Sequence, residues 1–165
     1  KAGISASFSK IQDIRYAYVQ ASRSIKIGVK LSCSEETTYF DYNQMVYRYD
    51  DYVQYMMIER EYAATKHFPL TCLRLIKLIS LDEEKNMELT RTLIIYLRNN
   101  GHIIGTAQEM FFHRNSILNR IKQISEILNM DLSDYKTREE LLFNFKVIDY
   151  AKAIGKTAQL MELKE

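Results

Sequence analysis

Apolar side chains recur at helical spacing along most of this 165-residue chain. Between Ser9 and Gly28 they fall at Ile11, Ile14, Tyr18, Ala21 and Ile25, steps of three and four that predict one helix with Gly28 as its stop. Gly3-Ile4-Ser5 reads as a short strand, and the β-branched and aromatic run Thr37-Thr38-Tyr39-Phe40 as a second. Asp50 or Asp51 can cap a further helix through Val53, Met56 and Met57. Two short strands do not make a stable sheet alone, so more sheet or another chain is expected to complete this part.

Pro69 is the only proline, and the residue before a proline is biased away from helix, so the junction between two domains is placed just before it. Residues 1–66 form one and residues 67–165 the other. Beyond the junction every pattern is helical. Leu70, Leu73, Ile76 and Ile79 to Leu81 make one amphipathic segment, and acidic Asp82, Glu83 and Glu84 suit the start of the next. That next helix, about residues 85–99, carries Leu89, Leu93, Tyr96 and Leu97 on one side and stops at Asn99-Asn100-Gly101. Three more helices are expected, over about 103–110, 114–128 and 137–150. The fold class is α+β, mainly α.

Composition supports a helical protein. Five glycines and one proline are few turn-makers, which argues against a β-sandwich or barrel. No apolar run is long enough for a membrane span and no signal-peptide pattern opens the chain, so a soluble, cytoplasmic protein is expected. The chain begins at Lys1 rather than Met, and a further upstream segment is expected. Cys33 and Cys72 have no CxxC or Cys/His spacing and read as idle thiols, not zinc ligands, nucleophiles or redox sensors. The glycines form neither a GxGxxG nor a P-loop. Seven of the twelve tyrosines lie between Tyr39 and Tyr62 without an accompanying excess of Lys or Arg, which favours core and dimer packing over base stacking. Neither a catalytic set nor a cofactor or metal site is expected, and the protein reads as a non-enzyme.

Net charge is only +2, but its distribution is uneven. Residues 90–130 carry five Lys or Arg against two Asp or Glu, and that basic stretch coincides with the most regular hydrophobic pattern. From 103 to 128 it gives a short helix, a three-residue break and a longer helix, the layout of a helix-turn-helix. Ile104, Ala107 and Met110 or Phe111 point inward from the first helix. Ile117, Ile121, Ile124 and Leu128 form a ridge on the second. Opposite the ridge lie Arg114, Asn115, Asn119, Lys122 and Gln123, with Ser116 and Arg120 alongside and His113 at the helix start. Arg and Asn can pair with guanine and adenine edges, while Ser, Lys and first-turn amides suit phosphates. A solvated face, or one that docks an acidic protein partner, would have the same spacing.

The run Ala107-Gln-Glu-Met110-Phe111-Phe112-His113-Arg114-Asn115-Ser116-Ile117, with Arg120 and Ile124, resembles the helix-turn-helix signature of PucR/CdaR-type bacterial transcriptional regulators. The resemblance extends back through Leu89 to Gly101 and forward through Leu128 to Leu132 and the helix from Thr137 to Ile148. Ser116 stands where the family usually has Thr, Ile117 for Leu, Phe112 for a smaller aliphatic, and Asn119 for a frequent Tyr. Residues 3–60 more loosely resemble the C-terminal half of the degenerate GGDEF-like domain that precedes this motif in the family; the GGDEF signature would lie before Lys1. The resemblance implies a sequence-specific regulator that binds double-stranded DNA, and because one helix-turn-helix buries too little for tight specific binding a homodimer is expected. A small-molecule effector would act through an upstream domain. The implied DNA-binding residues are His113, Arg114, Asn115, Ser116, Asn119, Arg120, Lys122 and Gln123.

Overall fold

The computed structural model describes residues 1–85 and 87–162. Eight helices and a two-stranded sheet are found among them, divided between two compact units. The first unit comprises Lys1–Pro69 and takes in Phe145–Leu160; the second holds Leu70–Asn144.

In the first unit β1 (Ala2–Ile4) pairs in parallel with β2 (Val46–Arg48), Gly3 opposite Tyr47, and both strands pack on α1 (Ile14–Ser32). The second strand is therefore not Thr37–Phe40, which is irregular. The backbone amides of Tyr39 and Phe40 instead donate to the buried Asp149 carboxylate, Tyr39 at 2.8 and 3.0 Å and Phe40 at 3.1 Å. A strand-like sequence is here satisfied by a side chain. Gly28 also differs from expectation. It does not end α1 but lies buried within it, where an added Cβ would come 2.1 Å from the Tyr47 ring. The inward face of α1 is Ala17, Ser24, Ile27, Gly28 and Leu31, while Ile11, Ile14 and Tyr18 are exposed.

After β2, α2 (Tyr49–Thr65) completes the first unit's core. Tyr42, Tyr47, Tyr52 and Tyr55 are buried and meet edge to face or tilted, so much of the tyrosine cluster is core. Tyr42 also donates to Asp149 at 2.8 Å and shares a short hydrogen bond with Tyr55.

The second unit contains α3 (Leu73–Lys85), α4 (Leu89–Arg98), α5 (Ile103–Met110) and α6 (Arg114–Leu128). The first turns of α7 (Tyr135–Ala153) belong to it, and the helix continues into the stretch assigned to the first unit. A short α8 (Thr157–Met161) follows. The acidic run 82–84 closes α3 rather than opening α4. Asp82 nonetheless serves α4, accepting from the amides of Leu89 at 2.8 Å and Thr90 at 2.9 Å, two of the unpaired first-turn donors. α4 is buried from Leu89 to Leu97 apart from Arg91, not along one stripe only, and packs on α3, α5 and α6. Asn144 is also buried and saturated: it accepts from Thr71 and Cys72 amides and donates to Thr71 Oγ1 and Glu140 O.

Candidate nucleic-acid interface

The bihelical corner is built from local rules. His102 opens α5, its Nδ1 accepting from Gly105 N at 3.2 Å, and His113 opens α6 in the same way through Asn115 N at 3.3 Å. Both histidines are thus helix caps. Between the helices Phe111 takes a left-handed conformation (φ 58°), and the Phe112 amide reaches back to Ala107 O at 3.0 Å, a Schellman-type ending. Ala107 and Met110 are buried at the crossing, as is Thr106, whereas Ile104 is 48% and Phe111 94% exposed. The ridge Ile117, Ile121, Ile124 and Leu128 is buried throughout.

With the ridge turned inward, the opposite face of α6 is open. His113, Arg114, Asn115, Ser116, Asn119 and Lys122 are exposed and Gln123 is partly so. Arg114 and Lys122 form no ion pair with any described residue. Arg120 behaves differently. Its guanidinium lies 4.4 Å from the centre of the Phe112 ring, 3.2 Å from Thr92 Oγ1 and 3.4 Å from Glu88 Oε2, with its side chain only 24% exposed. That arginine ties α6 to the turn and to the start of α4, a positioning task within the domain.

Residues 89–147 match the family described as the PucR C-terminal helix-turn-helix domain. The bihelical corner is therefore similar to a PucR-type helix-turn-helix. The relatives that match this chain are named as transcriptional activators or regulators. The chain is 29% identical over 147 residues to the proline-responsive transcriptional activator PutR of Bacillus subtilis (strain 168), covering 88% of this chain and 34% of that protein. Against the purine catabolism regulatory protein of the same organism it is 24% identical over 139 residues, 84% of this chain and 24% of the relative. The carbohydrate diacid regulator of Escherichia coli (strain K12) is 34% identical over 55 residues, 33% of this chain and 14% of that protein. The chain thus spans about a third or less of the relatives it matches. No solved structure gives a significant match.

In this helix-turn-helix two apolar residues join the polar face that the sequence alone does not single out. Leu118 is 50% exposed and stands one turn from both Arg114 and Lys122; Phe111 projects from the corner itself. Of the two inward choices that the spacing offers, Met110 is the buried one and Phe111 is left outside. Elsewhere, Cys72 is buried, its thiol pushed up by burial, with Sγ 3.6 Å from Met130 Sδ, whereas Cys33 is exposed. No group of His, Cys, Asp or Glu suited to a metal occurs among the described residues. Nor is any described helix long and apolar enough to cross a membrane.

Proposed function

We propose that α6 is the recognition helix of a sequence-specific, non-enzymatic regulator, entering the major groove of duplex DNA with its open face. The observation that carries this reading is the contrast on that helix. Arg120 is spent on internal contacts, while Arg114 and Lys122 stay unpaired among exposed amides. Arg114 and Asn115, nearest the helix start, read base edges; His113, Ser116 and Lys122 hold phosphates; Asn119 and Gln123 extend the contact along the groove. Arg120 acts through Phe112 and Glu88, holding the helix at its angle.

One helix-turn-helix buries too little for tight specific binding, so the regulator binds as a homodimer on a two-fold site in the cytoplasm. The DNA-binding domain runs from about residue 67, and residues 1–66 are part of a degenerate GGDEF-like domain. Exposed Ile11, Ile14 and Tyr18, and a parallel sheet of only two strands, support a segment preceding Lys1 that completes this unit. The relatives include a proline-responsive activator and a carbohydrate diacid regulator, so a small metabolite is the expected class of effector, acting through that upstream part.

Selection of binding sites from random-sequence duplexes with this chain tests the reading. It should recover a symmetric site with half-sites about one helical turn apart, and Arg114→Ala should weaken binding to it by about 1 to 3 kcal/mol. An unenriched pool, with retention of an acidic protein by the same face, would replace it with a protein-docking role.

A further inference from the structure

Phe111 stands out twice. Five non-glycine residues have left-handed backbone among those described: Lys66, Glu88, Asn100, Phe111 and Asn129. Four are polar. Asn100 and Asn129 are of the short polar type that tolerates this conformation. Lys66 closes α2, with its amide on Tyr62 O at 2.8 Å, and Glu88 uses its carboxylate to hold Arg91 and Arg120. Phe111 is the exception, a bulky apolar residue where glycine suits the backbone best. It is also 94% exposed, more than any other large apolar side chain described, with Ile11 next at 82%. It makes no ring or cation contact with the described residues, whereas its neighbour Phe112 packs under Arg120. A side chain that strains the turn and buries nothing contributes nothing to the fold, and strain of this kind concentrates where chains bind.

Its position says what it binds. Phe111 lies two residues before the cap of α6 and three before Arg114, beside the exposed His113 and Ser116 to which the proposed reading gives phosphate contacts. With α6 docked as proposed, a ring there would run beside a DNA strand rather than into the groove. We propose that Phe111 is a DNA-contacting residue that packs its ring on the deoxyribose carbons of the strand bordering the groove. The contact is apolar and blind to base sequence, and it clamps the corner while Arg114 and Asn115 read. This rests on the reading of α6 as the recognition helix.

Phe111→Gly is the decisive variant because it moves stability and binding in opposite directions. In the 165-residue chain it should melt a few degrees higher, through relief of the left-handed strain. It should also bind both a mixed-sequence fluorescein-labelled 30-mer duplex and the selected site roughly tenfold more weakly. The slope of log affinity against log salt should not change, since no phosphate contact is lost. Phe111→Leu, which keeps apolar surface, should recover most of the affinity. Affinity within twofold of wild type for Phe111→Gly would overturn the proposal while leaving α6 as the recognition helix. Loss confined to the selected site would also overturn it, in favour of base contact. Failure of the wild-type chain to bind any duplex would overturn the recognition-helix reading and this one together.

Discussion

At the scale of single residues, Asp149 has the most distinctive environment. Burial pushes its carboxyl up to about 6, against the opposing pull of hydrogen bonds from Tyr39 N, Tyr42 Oη and Phe40 N and of nearby Lys152. The ordinary value is 3.8, so the folded state holds the proton more tightly than the unfolded one. The resulting stabilisation is complete below pH 3.8 and is lost as pH rises through about 6. Asp149→Asn keeps an oxygen to accept from the amides but has no charge to bury. Urea unfolding of both proteins from pH 4.5 to 7 should find the variant gaining relative to wild type as pH rises. Between those pH values the change should be about 2 kcal/mol, and parallel curves would contradict it. The same carboxylate explains why the second strand was illegible in the sequence. Thr37–Phe40 has strand composition, but the partner of its amides lies about a hundred residues away, and no local pattern contains that information.

At the scale of elements, what could be read depended on how local its cause was. The bounds of α5 and α6 and the isoleucine ridge follow from spacing and caps held within each helix, and they were legible. The face of α1 was not. The apolar series Ile11, Ile14, Tyr18 is genuine, yet the described unit buries the neighbouring face, because Gly28 admits the Tyr47 ring there. Nor was the cap of α4, since Asp82 reaches it from the end of the preceding helix. Asp82→Ala should therefore cost about 1 to 2 kcal/mol of stability in thermal or urea melts. Amide exchange should quicken first at Leu89 and Thr90, while the salt slope of DNA binding stays as in wild type. Unchanged exchange at those two amides would refute the capping role. On the candidate interface, residue types and face were legible, but the internal commitment of Arg120 was not. It needs Glu88, Thr92 and Phe112 brought together by the packing of α4 on α6.

At the scale of the whole molecule, a net charge of +2 hides a local basic excess over residues 90–130, within which α6 carries Arg114 and Lys122 exposed and outside any ion pair among the described residues. Binding by such a surface is governed by counterion release from DNA, and its salt dependence reports how many phosphates are met. The central claim, that the open face of α6 docks on duplex DNA, is tested most directly by fluorescence anisotropy of the 165-residue chain on a labelled duplex across a salt series. Affinity should fall steeply and linearly in log-log form, and Lys122→Ala should reduce the slope by about 1. A chain that ignores duplex DNA even at low salt, or a slope untouched by loss of Lys122, would contradict it.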